Sequence, residues 1–183
     1  MIRVERSPEP STFDRDVRQR GLSVERAGGS SYAWRRAIPD LRAAYDDTCA
    51  YLGMRIDGAT GLLTVDHFLP RTERPDLAFE WSNLRLSSHR MNTNKGRKTN
   101  VIDPFTVRSG EFALSFADGS VRVGTTRRPA LVSATIRSLK LNECSDFRLQ
   151  RIDLLMTGRV SWDFLKWDFP YGATELVRQG YFP

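Results

Sequence analysis

The sequence predicts an α+β fold built around one core in a single domain spanning residues 1–183. Three observations carry that expectation. A strand, a long loop, a second short strand and a helix follow one another over residues 61–97. Residues 112–116 and 121–123 alternate on either side of an Asp118-Gly119 turn, which is a hairpin signature. Two later segments, 130–141 and 145–156, carry apolar residues at helical spacing.

From the start of the chain, residues 1–31 form a polar, arginine-rich segment. A short helix is expected over 12–20, with Gly21 as its stop. Ala27-Gly28-Gly29-Ser30-Ser31 reads as a flexible joint; it lacks the lysine and the preceding strand of a phosphate loop. Residues 39–52 read as a helix, with Pro39 in its first turn, Leu41, Tyr45, Cys49 and Leu52 at helical spacing, and Gly53 at its end. An Asp57-Gly58 turn leads into a strand over 61–66. Residues 67–80 hold two prolines and many charges, so they read as loop. A second strand follows over 83–86, then a helix over 87–97 capped by Ser87 or Ser88. Residues 110–183 read as a support region. It holds the hairpin, a helix with Leu131, Ile136 and Leu139 near one face, and a helix carrying Phe147, Ile152 and Leu155. The aromatics between Trp162 and Phe182 are expected to be core or a docking surface rather than base-stacking platforms.

Composition limits the function. No apolar run approaches the ~20 residues needed to cross a bilayer. Residues 1–11 have no apolar signal core, so the expected location is the cytoplasm. Cys49 and Cys144, far apart in sequence, suggest two buried reduced thiols. The net charge of +6 and pI near 9.7 favour a polyanionic partner. Between Trp81 and Ile102 there are five cations, Arg85, Arg90, Lys95, Arg97 and Lys98, and no acid. A solvated helix face would give the same run, so the charge acquires meaning only from the residues beside it.

Those residues are Asp66 and His67 at a strand end, Asn83 before the second strand and Asn92 on the helix. Phosphodiester hydrolysis needs a base for water, a cation for the growing charge, and groups that hold the base in one orientation. A neutral histidine suits the first role, and an oxygen-ligated Mg²⁺ suits the second. Neighbouring residues of an extended chain point to opposite sides, so the strand register must break at or after Asp66 for both groups to reach one site. Asn92 can then approach Asp66, and the Asn83 amide can tie the loop and orient His67. Taken singly, each of these residues is a weak signal.

Together, Val65-Asp66-His67-Phe68-Leu69-Pro70, Asn83-Leu84 and Asn92-Thr93-Asn94-Lys95-Gly96 resemble the HNH nuclease motif. The nine-residue step from Asn83 to Asn92 and the three-residue step to Lys95 both match its pattern. The resemblance covers 62–98 and implies a ββα-metal core with flanking helices and an added hairpin. It implies His67 as general base, Asp66 and Asn92 as ligands of Mg²⁺ or Mn²⁺, and Asn83 as the residue orienting the loop. It further implies a metal-dependent endonuclease that cuts DNA and leaves a 5′-phosphate. Arg85, His89, Arg90, Lys95, Arg97 and Lys98 are the expected nucleic-acid contacts. His89, three residues before Asn92 on the same helix face, could also reach the metal.

A looser similarity over roughly 40–155 is to bacterial HNH proteins of anti-phage defence, the Septu type among them. It rests on Cys49-Ala-Tyr-Leu-Gly, Phe79-Glu-Trp-Ser-Asn83, Asp103-Pro104-Phe105 and the run from Thr135 to Asn142. That similarity alone implies an ATPase partner protein. One departure stands out. Many HNH proteins carry two Cys-x-x-Cys pairs for a structural zinc, whereas this chain has Cys49 with Leu52 and Ser88 with Met91. No structural zinc is therefore expected. Two other functions fit the same motif: a catalytically silent nucleic-acid or partner-binding module, and a sequence-specific homing or restriction nuclease. The full Asp-His-Asn-Asn set argues against the first, and the lack of a recognisable base-reading motif against the second.

Overall fold

The computed structural model describes residues 1, 3–57 and 61–182. These form helices and three two-stranded antiparallel sheets, an α+β arrangement as predicted.

The first helix opens as a π-helical stretch, Asp14–Gln19, and continues as α1, Arg20–Arg26. Gly21 does not end it. A Cβ at Gly21 would lie 2.5 Å from the Phe79 ring, so the glycine is where Phe79 packs against the helix. The stop comes instead at Gly28, at φ +78°. Gly28 N donates to Glu25 O (2.9 Å) and Gly29 N to Val24 O (3.0 Å), the paired bonds of a Schellman cap. The expected joint at 27–31 is thus a helix cap that leads into buried Ser31, whose Oγ accepts from Ala33 N.

Helix α2, Ile38–Tyr45, is shorter than the predicted 39–52. Asp46 and Asp47 turn the chain left-handed, at φ +45° and +54°. Arg42 and Arg55 pair with their carboxylates. The chain then forms a small hairpin, β1 Thr48–Cys49 against β2 Met54–Arg55. Cys49 and Leu52 sit in phase with the helix in sequence because the hairpin buries them too. Gly58 of the expected turn lies outside the described residues.

Strand β3, Leu63–His67, pairs antiparallel with β4, Leu84–Ser88, so that Asp66 faces Arg85 and His67 faces Leu84. The chain between them is loop with short 3-10 turns, and Asn83 closes the last of these, Trp81–Asn83. Helix α3, His89–Lys95, begins at Ser88, whose Oγ accepts from Met91 N. Its last residue is Lys95, two short of the predicted Arg97, and Gly96 (φ +49°) caps it.

The support region follows. Strands β5, Phe112–Leu114, and β6, Val121–Val123, pair as the predicted hairpin. Helix α4, Pro129–Leu139, buries Val132, Thr135 and Leu139, so the inward stripe is rotated from the expected Leu131 and Ile136. Helix α5, Ser145–Met156, has the predicted bounds but buries Arg148 and Arg151 beside Ile152 and Leu155. The aromatic C-terminus forms two helices, α6 Trp162–Asp168 and α7 Pro170–Arg178. Phe169 and Tyr171 are core, while Phe164, Trp167 and Tyr181 stay exposed.

Two apolar clusters result. One gathers α2, β3, β4, Phe79 and Trp81 with Phe13 and Val17. The other gathers Met54 and Met91 with the β5–β6 hairpin and α4–α7. Ile56 packs against both. Cys49 and Cys144 are buried free thiols. No helix among the described residues is long and apolar enough to cross a membrane.

Candidate active site

β3 ends at an open cleft of about 590 Å³ lined by residues of β3, α3, the 70–72 loop and the 34–38 segment. Asp66, His67 and Asn92 all line it. Each reaches it for a local reason.

Asp66 is 3% exposed, and its carboxylate is held from two sides. Lys95 Nζ donates to Oδ1 at 3.1 Å, and the Tyr51 hydroxyl donates to Oδ2. Burial pushes the Asp66 carboxyl above its ordinary range; the Lys95 charge, the Tyr51 bond and the Lys95 bond oppose that. Tyr51 is itself pushed well above its ordinary value, first by burial and then by the Asp66 charge, so it remains a donor.

His67 ends β3, and its Nε2 lies 2.8 Å from Ala78 O. A carbonyl only accepts, so Nε2 carries the proton and the free lone pair is on Nδ1. The ring packs edge-on to Trp34, with centroids 5.2 Å apart. Burial pushes its pKa down to about 4, and the Arg71 and Lys95 charges push the same way against the Ala78 bond. His67 is therefore neutral at pH 7.

Asn83 is buried and ties the loop at two points. Its Oδ1 accepts from Leu69 N at 2.8 Å, and its Nδ2 donates to Leu69 O and Leu77 O at 3.1 and 3.2 Å. Leu77 precedes Ala78, so the amide of Asn83 braces the loop one residue before the carbonyl that meets His67. Asn92 donates through Nδ2 to Val65 O (3.1 Å) and Thr64 Oγ1 (3.3 Å). Among the described residues its Oδ1 accepts no hydrogen bond.

The six expected nucleic-acid contacts divide. His89 and Arg97 line the cleft. Arg90 and Lys98 are exposed but lean elsewhere, Arg90 toward Glu143 O and Cys144 Sγ, Lys98 toward Asn94 O and Ser138 O. Lys95 and Arg85 are corrections. Lys95 is fully buried and held by Asp66 and by His67 O (2.7 Å), so it faces inward and not toward a phosphate backbone. Arg85 is buried in a two-pronged bond to Asp103, at 3.0 and 2.8 Å, with the Phe105 ring 3.8 Å from its guanidinium. Sequence reasoning missed Tyr51 on Asp66, and Trp34, Arg35 and Arg71 on the cleft wall. The guanidinium of Arg71 lies 4.1 Å over the Trp34 ring.

The cleft's donor set can be tested against the implied metal. Among the described residues no three His, Cys, Asp or Glu side chains converge to hold an ion. A metal here would rest on the Asp66 carboxylate and the uncommitted Asn92 amide oxygen, with water for the rest. Such a sparse oxygen set fits Mg²⁺ or Mn²⁺, which keep most of their water, and not zinc. The four positions of a cysteine knuckle are gathered differently. Cys49 Sγ accepts from Ser88 N at 3.4 Å, and Leu52 and Met91 are buried in the same cluster as Cys49.

No family model matches the chain. A 63-residue stretch is 35% identical to the Septu protein PtuB of Bacillus thuringiensis, and it covers 32% of this chain and 24% of PtuB. The chain is thus similar to a Septu protein through one segment, which spans about a quarter of that relative's own length.

Proposed function

We propose that the chain is a metal-dependent endonuclease of the HNH type, with β3, β4 and α3 as its ββα-metal core, cutting DNA as part of an anti-phage defence system. One observation carries the reading: a neutral His67, its Nε2–H committed to Ala78 O, offers Nδ1 as a base beside Asp66 in a cleft whose other charges are Arg35, Arg71 and Arg97.

In this reading His67 Nδ1 takes a proton from the water that attacks phosphorus, and the bond to the 3′ oxygen breaks. Asn83, bonded to Leu77 O, braces the loop that carries the Ala78 carbonyl, and that carbonyl keeps the Nδ1 lone pair aimed at the cleft. Lys95 and Tyr51 hold the Asp66 carboxylate. Asp66 and Asn92 are the residues that would hold Mg²⁺ or Mn²⁺; when bound, the ion supplies positive charge for the phosphate and the leaving oxygen. The arginines on the cleft wall position backbone phosphates without reading sequence. The likeness to a Septu protein supports the defence role; an ATPase partner protein rests on the family resemblance of the sequence alone.

Incubation with supercoiled plasmid tests the reading. Nicking in Mg²⁺ or Mn²⁺ is expected, EDTA abolishes it, and EDTA leaves the melting temperature nearly unchanged. No cleavage in either metal overturns the proposal. A tightly held zinc whose removal unfolds the chain overturns the metal assignment.

A further inference from the structure

Beside the His67 cleft lies a second one of about 540 Å³, between α1 and the 3-10 turn Ala33–Ala37. Among the described residues its charged lining is Arg20 and Arg36, with no acid. Tyr32 and Ala33 face this second cleft, while Trp34 and Arg35 face the first. The short segment 32–36 is therefore a ridge between the two clefts and gives an arginine to each.

Tyr32 stands on that ridge, 58% exposed. Its ring is tilted against Trp34, with centroids 5.0 Å apart, and the Arg35 guanidinium lies 4.9 Å from its centre. Among the described residues Arg20, Arg35 and Arg36 make no ion pair. The acid whose charge both Arg20 and Arg36 feel, Asp16, is already bonded to Arg15 at 2.8 Å. Arg35, Tyr32, Arg20 and Arg36 thus mark one path that leads from the His67 cleft over an exposed aromatic ring into a second basic hollow.

We infer that the second cleft is a binding site for single-stranded nucleic acid continuing out of the His67 cleft, with Arg20 and Arg36 on phosphates and Tyr32 under a base. This rests on the reading of the His67 cleft as a nucleic-acid site. The combination of a cationic track with a stacking ring is how proteins hold single strands without sequence preference. A duplex keeps its bases stacked inside and offers only phosphates, so Tyr32 gives the site its preference for an unpaired strand.

The test uses the full chain carrying His67→Ala, so that bound substrate is not consumed, and fluorescence anisotropy with oligodeoxythymidines of increasing length and a hairpin duplex. Affinity is expected to rise with length until an oligomer spans both clefts. Adding Arg20→Ala with Arg36→Ala should remove that rise and lower the slope of log K against log salt by ~1.4, at ~0.7 for each single-strand phosphate contact. Tyr32→Ala should weaken single-strand binding by about 5- to 160-fold and leave duplex binding unchanged. All three side chains are exposed, so each variant should melt like its parent. An unchanged length dependence and salt slope in the double arginine variant overturns this inference even if the wild-type chain cuts plasmid. Equal losses on duplex and single strand with Tyr32→Ala overturn the single-strand assignment. Failure of the His67→Ala chain to bind any oligonucleotide overturns the nucleic-acid reading of both clefts together.

Discussion

Two buried carboxylates sit in opposite surroundings. Glu111, at the base of the β5–β6 hairpin, receives Arg128 Nε and Nη2 at 2.8 and 2.7 Å, Thr126 Oγ1 at 2.9 Å and Arg108 N at 2.9 Å. The Arg128 bonds hold its carboxyl down to about 2, against the pull of burial. Asp66, on the cleft wall, is as little exposed but lies far deeper among protein atoms; among the described residues it receives Lys95 and Tyr51, and burial wins: its carboxyl is pushed up. The hairpin carboxylate is satisfied as a structural anchor should be. The cleft carboxylate is kept desolvated with lone pairs to spare, a costly arrangement that suits a group meant to meet another cation.

The largest test of this contrast is Asp66→Ala. It strands the fully buried Lys95 ammonium and should cost ~3–5 kcal/mol in a denaturant melt, with loss of cleavage. Adding Lys95→Met should recover most of that stability and none of the cleavage. A cost under about 1 kcal/mol for the single change would mean that the Asp66–Lys95 pair is not the buried junction described. Tyr51→Phe removes one hydrogen bond to the carboxylate and leaves no orphan donor, so a loss of ~1.5–3 kcal/mol is expected. Cleavage should fall but persist, and a neutral effect would place the Asp66 support on Lys95 alone.

Glu111→Gln should matter least. Arg128 is 31% exposed, so its charge reaches water when unpaired, and a loss of ~1 kcal/mol with unchanged cleavage is expected. Its signature is in the pH dependence. A carboxyl lowered from 4.5 to about 2 contributes stability that is present above pH 4.5 and is lost as pH falls toward 2. Asp66, raised instead, imposes a cost at neutral pH that protonation relieves. The acid-unfolding curve of Glu111→Gln should therefore be flatter than the parent's across that window. Parallel curves would deny Glu111 its anchoring role.

The cleft was partly legible in the sequence for a physical reason. Asp66, His67, Asn83 and Asn92 lie on one strand–loop–strand–helix unit, where spacing along the chain translates into position in space. Tyr51 was hidden because a tight hairpin buries Cys49 and Leu52 in phase with a helix. Trp34, Arg35 and Arg71 reach the cleft from other segments, and no local pattern marks such convergence. A charge run reports composition and not burial, which is why Arg85 and Lys95 read as surface cations. The Leu84-Arg85-Leu86 alternation predicts an arginine facing out, and it misled because this strand is buried on both faces. The two C-terminal helices also had signals, the Ser161 cap of α6 and Pro170 in the first turn of α7.

The most direct measurement of the central claim is the rate of plasmid cleavage in Mg²⁺ by the parent chain and by His67→Ala, compared at equal folded protein. If His67 Nδ1 is the base, the variant melts as the parent does and cuts ~10²–10⁴ times more slowly. If the two cut at the same rate, His67 is not the base and the cleft is not the active site described.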